Sequence, residues 1–357
     1  MTSYRLIGLM SGTSLDGIDL ADVRFERSGN GSWSFEIQSA ETFLYHAYLQ
    51  QQLANCTRLS GEELTLLNHQ LALHFADAIE DFIESYQIHR SEINAIASHG
   101  HTVFHQPEKG FTLQIGCGTT LARKTGIPVI NDFRSRDVAH GGQGAPLVPI
   151  GDALLFAEMA ESFLNIGGIC NLSVPGDRTV AYDVCTGNLP INRLMDQHFN
   201  LPFDKDGLVA ASGKVNVKLL DALNNIPYFK ESGPKSLGVE WIATEFVPIL
   251  DKTDLSAPDK ISTIVEHTAF QIANSLLAHN VNSVLVTGGG ARNRYVIERI
   301  QHYFHGRVIL PDEELIECKE AIIFAFLGAL YLANEPNCLS SVTGAHQDVR
   351  GGTFHAP

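Results

Sequence analysis

The chain has 357 residues, long enough for two domains of roughly 150 residues each. Apolar residues make up 44% and charged residues 18%, which excludes the disordered and fibrous classes. The net charge of −15 argues against a nucleic-acid partner, whose phosphates need clustered Lys and Arg. An anionic small molecule stays open, received by backbone N–H groups, a metal or a few local bases.

The six cysteines (Cys56, Cys117, Cys170, Cys185, Cys318 and Cys338) are scattered without a C-x-x-C pair, as a reduced cytoplasmic setting would leave them. The apolar start is broken by Gly and Ser too early for a signal peptide. The longest apolar run, residues 321–333, falls short of the about 20 residues a membrane span needs and reads as a buried helix. A soluble cytoplasmic protein without membrane contact is expected.

In chain order, the apolar run at 5–9 ends in the Gly/Ser/Thr loop MSGTSLDG, and strand character resumes with IDLADVRF and SFEIQSAETFLY. Strand, glycine loop and strand predict a β-hairpin with a functional tip. Ser60 and Glu63 form a capping box, followed by Leu64, Leu67, Leu71, Phe75, Ile79, Phe82 and Tyr86 at helical spacing. INAIAS (93–98), FTLQIG and IPVIND (127–132) read as strands, with a polar turn SHGHT after the first of them. The segment 132–149, rich in Gly, Pro and charge without period, reads as a long functional loop and as the crossing between domains.

Beyond it the organisation repeats. Residues 162–175 again give strand, glycine turn and strand, and TVAYDV ends a strand on an acid. A helical stripe runs through Ile261, Ile264, Val265, Thr268, Ala269, Ile272 and Leu276. NSVLVTGGGARN is a buried strand feeding a triple glycine and a new helix. This coarse duplication predicts two similar α/β halves with a cleft between them that closes on a nucleotide. The boundaries expected are 1–131 with about 336–357 for one domain and 132–335 for the other.

Three glycine elements carry candidate chemistry. The loop from Gly8 to Asp19 offers backbone N–H groups and the hydroxyls of Ser11, Thr13 and Ser14, a nest for phosphate oxygens. It is neither a P-loop nor G-x-G-x-x-G. Its acids, Asp16 and Asp19, would repel phosphate unless Mg²⁺ stood between, which suits Asp16 as a metal contact, direct or through water. An ordinary hairpin turn with solvated acids accounts for the loop about equally well. Asn165, Gly167 and Gly168 repeat the offer in the second half, so a phosphate clamped between two hairpins is expected. The run Gly288-Gly289-Gly290 lets a flat ring or ribose lie against the main chain beside a helix N-terminus.

Asp183, at a strand end, is placed to act as a general base, although from spacing alone a cap of the next helix or turn is the better reading. His99, His101 and His105 suggest a metal site, but substrate hydrogen bonding is favoured because no fourth ligand lies nearby. Arg134, Arg136, Lys205, Lys214 and Lys235 sit in loop-like sequence where one or two could meet an anionic substrate.

Several blocks stand out, GLMSGTSLDGID (8–19), SHGHTVFHQP (98–107), DFRSRDVAHGGQGAPLVP (132–149) and NIGGICNL (165–172), the first and third of them highly specific. YDVCTGN (182–188), GPKSLGVEW (233–241), TGGGARN (287–293) and KEAIIFAFLGAL (319–330) follow in order. Over nearly its whole length the chain resembles the anhydro-N-acetylmuramic acid kinases, a family of the actin, sugar-kinase and chaperone-ATPase superfamily. The resemblance implies an α/β, duplicated actin-like (ribonuclease H-like) two-domain sugar-kinase fold with a central cleft. It further implies that water opens the 1,6-anhydro bridge of 1,6-anhydro-N-acetylmuramic acid and that the 6-oxygen takes the γ-phosphoryl of ATP, a step of peptidoglycan recycling.

By position, the resemblance makes Asp183 the base and Glu320 an orienting carboxylate. Gly12, Thr13, Ser14, Leu15, Asp16, Gly17, Ile18 and Asp19 would wrap the phosphates, with Mg²⁺ as cofactor. Asn165, Gly167 and Gly168 would form the second phosphate hairpin, and Gly288, Gly289, Gly290 and Asn293 would hold the adenosine side. His99, Thr102, Arg134 and Gln143 are carried as substrate contacts. Around the base the family's usual F-D-T-G-P-G-N is here Tyr182 to Asn188 with Val184, Cys185 and Thr186, Asn192 stands where Asp is frequent, and Cys117 replaces a common acid. A homodimer is carried as an open expectation. The alternatives are another small-molecule kinase of the superfamily, or a non-enzymatic ATP-driven conformational protein.

Overall fold

The computed structural model describes residues 2–12, 15, 17–231 and 233–357. The chain forms two compact units, Met1–Leu155 with Cys318–Pro357, and Phe156–Glu317.

In the first unit, strands β1 (Thr2–Met10), β2 (Gly17–Arg27) and β3 (Trp33–Leu44) form an antiparallel meander. Strand β4 (Ala95–Ser98) pairs parallel with β1. A small hairpin of β5 (His101–Gln106) and β6 (Phe111–Ile115) follows, and then β7 (Val129–Asn131), parallel to β4. The second unit repeats the arrangement. Strands β8 (Ser162–Ile166), β9 (Ile169–Val174) and β10 (Val180–Thr186) form the meander. Strand β11 (Ser283–Thr287) runs parallel to β8, and β12 (Arg307–Ile309) runs parallel to β11. The sheet orders β7-β4-β1-β2-β3 and β12-β11-β8-β9-β10 are therefore the same, and the final strand β13 (Thr353–His355) adds to the edge of the first sheet at β7. The two similar halves expected from the glycine hairpins are present, in the duplicated ribonuclease H-like α/β topology that the resemblance implies.

Alternation along β1 explains how its sheet is covered. Ile7 and Leu9 join the core built with Phe75, Ile79 and Phe82 of the helix Gly61–Ser85, whose N-terminus carries the expected Ser60/Glu63 capping box. Gly8 points the other way. A Cβ there would lie 1.9 Å from the carbonyl oxygen of Ala321, so the helix Glu313–Leu332 approaches the strand backbone directly. In the second unit the helix Ala257–Ala278 is capped by Ser256 and buries the whole stripe read from the sequence, from Ile261 to Leu276.

The boundaries differ from those expected. Residues 132–155 and 318–335 belong to the first unit, and the chain crosses after Leu155 and again within the helix Glu313–Leu332. The Gly/Pro-rich segment is no crossing. It contains the helix Ser135–Ala139, and the buried Asp137 carboxylate accepts from the Gly144 N–H and the Thr343 hydroxyl, both at 2.7 Å, pinning it to the first unit. Among the described residues no helix is long and apolar enough to cross a membrane.

Candidate active site

Of the first loop's expected contacts, Thr13, Ser14 and Asp16 lie outside the described residues. Around them the hairpin is firmly held. The Tyr45 hydroxyl donates to Ser11 Oγ at 2.6 Å, and Ser11 Oγ meets His101 Nδ1 at 3.1 Å in a buried chain. Gln50 donates to the Leu15 carbonyl at 2.7 Å, and Thr42 Oγ1 donates to Asp19 Oδ1 at 2.6 Å. Ile18 points into the core, and Asp19, on β2 beside the edge strand β3, is half-buried.

Glu320 lies in the same unit. Its side chain keeps an accessible face, yet the surrounding protein pushes its carboxyl pKa upward, opposed by the Arg134 charge and reinforced by Asp19. Arg134 is tied down from two directions: Nη1 donates to the Gly144 carbonyl at 2.7 Å, while Nε and Nη2 donate to His99 Nε2 at 3.1 and 2.9 Å. His99 Nδ1 lies 2.9 Å from the Gly100 carbonyl. With both ring nitrogens engaged and the residue 5% exposed, His99 is not available as the direct substrate contact expected from sequence. Of the other two histidines, His101 Nδ1 meets Ser11 Oγ and His105 Nδ1 meets Thr112 Oγ1, both at 3.1 Å. Thr102 accepts a bond from Gln114 at 3.3 Å, and Gln143 is exposed with its backbone N–H bonded to the Thr343 carbonyl.

In the second unit Asp183 stands at a bulge in β10, where the register with β9 shifts between Asp183 and Cys185. Bulges re-aim side chains next to active sites. Segment 235–237 runs along it: the Asp183 N–H donates to the Lys235 carbonyl at 2.9 Å, and the Leu237 N–H donates to Asp183 Oδ2 at 2.8 Å. The Tyr228 hydroxyl closes the anchor on the Asp183 carbonyl at 2.6 Å. Among the described residues nothing hydrogen-bonds Oδ1. Burial raises the Asp183 pKa, opposed by the Leu237 N–H. The capping reading of Asp183 does not hold, because the N-cap of the following helix Asn188–Phe199 is Gly187. Sequence reasoning noted GPKSLGVEW as a block but missed that its backbone serves Asp183.

Lys235, a candidate for an anionic substrate, is committed elsewhere. Its Nζ donates to the carbonyls of Tyr228 and Glu231 and sits 4.4 Å from the centre of the Tyr228 ring. Gly167 and Gly168 form the β8–β9 turn, and their carbonyls accept from the N–H groups of Asn188 and Gly187, both at 2.9 Å. Gly288, at φ 80°, lies against Asn165: a Cβ there would sit 2.5 Å from Asn165 Oδ1. Gly289 faces open space. Asn293 is the N-cap of the helix Arg294–Tyr303, its Oδ1 accepting from the Val296 N–H at 3.1 Å. Its side-chain oxygen therefore serves the helix terminus.

The pattern that defines anhydro-N-acetylmuramic acid kinase matches residues 4–356. The chain belongs to the anhydro-N-acetylmuramic acid kinase family. Among proteins carrying that name, the Mannheimia succiniciproducens relative is 38% identical over 378 residues, covering 99% of each chain. The Hydrogenovibrio crunogenus relative is 35% identical, covering 98% of this chain and 97% of its own. A Sulfurovum relative is 33% identical, covering 99% of this chain and all of its own. Among solved structures, the Acidaminococcus fermentans (R)-2-hydroxyglutaryl-CoA dehydratase component A overlays at 12% identity with a TM-score of 0.47, over 90% of this chain and 96% of that one.

The structure shows where the residues just after Asp183 go. Val184, Cys185 and Thr186 are all buried. Cys185 pairs across the strands with Cys170, and the Thr268 hydroxyl donates to the Thr186 carbonyl at 3.1 Å. Burial pushes the Cys185 thiol well above its ordinary pKa, so it is an apolar packing residue here. None of the three bonds the Asp183 carboxylate, whose anchor is the Leu237 N–H.

Proposed function

We propose that this protein is an ATP-dependent kinase that hydrolytically opens 1,6-anhydro-N-acetylmuramic acid and phosphorylates its 6-oxygen. The products are N-acetylmuramic acid 6-phosphate and ADP, in the cytoplasmic recycling of peptidoglycan. The observation that carries this reading is the Asp183 carboxylate, held through Oδ2 by the Leu237 N–H while Oδ1 takes no bond from the protein's described residues. A carboxylate oriented on one oxygen and open on the other is equipped to take a proton from water.

In the reaction Asp183 Oδ1 accepts that proton as the water oxygen bonds to the anomeric carbon. The bond from that carbon to the bridging oxygen breaks, the freed 6-oxygen bonds to the γ-phosphorus, and ADP leaves. Glu320 orients water or sugar, with Arg134, Thr102 and Gln143 on the substrate side. Residues 12–19 and the Asn165–Gly168 turn surround the phosphates, while Gly288 to Gly290 with the main chain at Asn293 hold the adenosine side. Phosphoryl transfer asks mostly for positioning and electrostatic stabilisation, which glycine loops supply.

The donor set suits Mg²⁺. Mg²⁺ is usually held by one or two carboxylates plus phosphates and water, and the half-buried Asp19, whose Oδ1 accepts from the Thr42 hydroxyl, is such a carboxylate. Asp16 and Asp19 would hold it, and the ion would neutralise charge on the phosphates.

The test is incubation with ATP and 1,6-anhydro-N-acetylmuramic acid in ¹⁸O-water. The product should gain one phosphate and one water, with the label on the anomeric carbon. A product that gains phosphate without water overturns the hydrolytic step, and ADP release independent of the sugar overturns the whole reading.

A further inference from the structure

The mechanism above leaves His99 without a task, although it is buried and polar. Its surroundings define its protonation. The Gly100 carbonyl, 2.9 Å from Nδ1, can only accept, so the ring proton sits on Nδ1. Nε2 is then a lone pair, and it receives Nε and Nη2 of Arg134 at 3.1 and 2.9 Å. The ring also packs on Phe324, with centroids 4.6 Å apart. Phe324 lies one helical turn after Glu320 on the helix Glu313–Leu332, so the two share a face. His99 thus touches both Arg134 and the helix face that carries Glu320.

We infer that His99 is a positioning residue: as a neutral imidazole protonated on Nδ1, it fixes the Arg134 guanidinium beside Glu320. Arg134 has five N–H groups. Bonds to His99 and to the Gly144 carbonyl engage three of them and hold the plane of the fork, leaving two for Glu320 or a bound molecule. A proton on Nε2 would set donor against donor and charge against charge. The groups facing the ring are Arg134, His101, the carbonyls of Gly100 and Ser11, and Phe324, and no carboxylate among them favours the charged form. Burial first and the Arg134 charge second keep the ring neutral well below the ordinary histidine range. His101, on the other side of Gly100, meets Ser11 Oγ at 3.1 Å.

The activity half of the test rests on the functional reading above, and the spectroscopic half does not. In the full chain with ¹⁵N-labelled histidine, one ring assigned by its loss in His99→Gln should show the Nδ1–H tautomer and stay neutral from pH 8 to pH 5.5. An Nε2–H tautomer, or titration near 6.5, overturns the proposal. In the kinase assay His99→Ala should lower kcat about 10- to 100-fold, the scale of a displaced catalytic group, with KM for ATP unchanged. His99→Gln, whose amide oxygen replaces the Nε2 acceptor, should recover most of that loss. Equal loss in both variants would make His99 a packing residue and overturn the proposal. Absence of any sugar-dependent turnover in the unaltered protein would defeat the functional reading, leaving the tautomer measurement to decide this one.

Discussion

Leu237 donates its backbone N–H to Oδ2 of Asp183 at 2.8 Å, and this single bond decides which carboxylate oxygen is left for chemistry. The Lys235 carbonyl takes the Asp183 N–H, so two residues of one short segment hold the acid by main chain and side chain together. A main-chain donor fixed in this way needs no side-chain reorganisation when charge moves during reaction.

Asp183→Asn tests the division of labour between the two oxygens. The amide oxygen can still accept from Leu237, so the fold and nucleotide affinity should be kept. Sugar-dependent turnover should fall by about 10²-fold or more, the scale of general-base loss. Steady-state kinetics beside calorimetric ATP binding will check this, and near-normal turnover would move the base elsewhere.

The same burial that raises the Asp183 pKa predicts a pH signature. Activity should be lost on the acid side at a pH above the ordinary carboxylate range of about 4, as Asp183 takes up its proton. Stability runs the other way. A carboxyl whose folded pKa is raised contributes stability that is present below the unfolded pKa and lost as pH rises through the folded one. Asp183→Asn should therefore unfold at a higher temperature than the unaltered protein at pH 7, with the gap closing towards pH 4. A variant less stable at pH 7 would show that the ionised carboxylate is favoured in the fold.

The strongly periodic parts of this chain were legible because local signals and tertiary packing agree. The capping box at Ser60, the buried stripe from Ile261 to Leu276 and the two glycine hairpins are of this kind. The domain crossing was not, because segment 132–149 has the composition of a loop while its anchor, Asp137, finds Thr343 more than 200 residues away in the chain. Asp183 was ambiguous for the same reason: its partner Leu237 is remote, and only the β10 bulge turns the carboxylate from a possible cap into an anchored acid. His99 was placed in the right neighbourhood with the wrong partner, since no local pattern announces that an arginine 35 residues on will occupy its ring nitrogen.

Gly8→Ala should be costly for a reason that no side-chain rearrangement can relieve. The new Cβ would lie 1.9 Å from the Ala321 carbonyl oxygen and 2.9 Å from the Ala325 nitrogen, both backbone atoms of the helix Glu313–Leu332. Strand and helix must separate, at an overpacking cost of about 1–3 kcal/mol or more. Gly29→Ala, with nothing within 4 Å of its Cβ, is the control. Urea unfolding midpoints should drop for the first and hold for the second, and equal midpoints would mean the helix yields freely.

The residue before Glu320 offers the sharpest test of how that carboxylate's helix is seated. Lys319 Nζ lies 2.7 Å from Asp152 Oδ1, and the two side chains are only 7% and 2% exposed. Removing one partner of such a pair leaves a charge in a medium that solvates it poorly, which typically costs about 3–5 kcal/mol. Lys319→Met should therefore destabilise the first unit strongly, and so should Asp152→Leu. The double variant replaces both charges with apolar groups and should cost much less than the sum of the two singles, because desolvation of the pair offsets much of its attraction. Denaturant unfolding of all four proteins measures the coupling directly. If the single losses simply add, the pair is not an energetic unit, and the seating of Glu320 must come from the close contact at Gly8 and the packing of the apolar helix face alone.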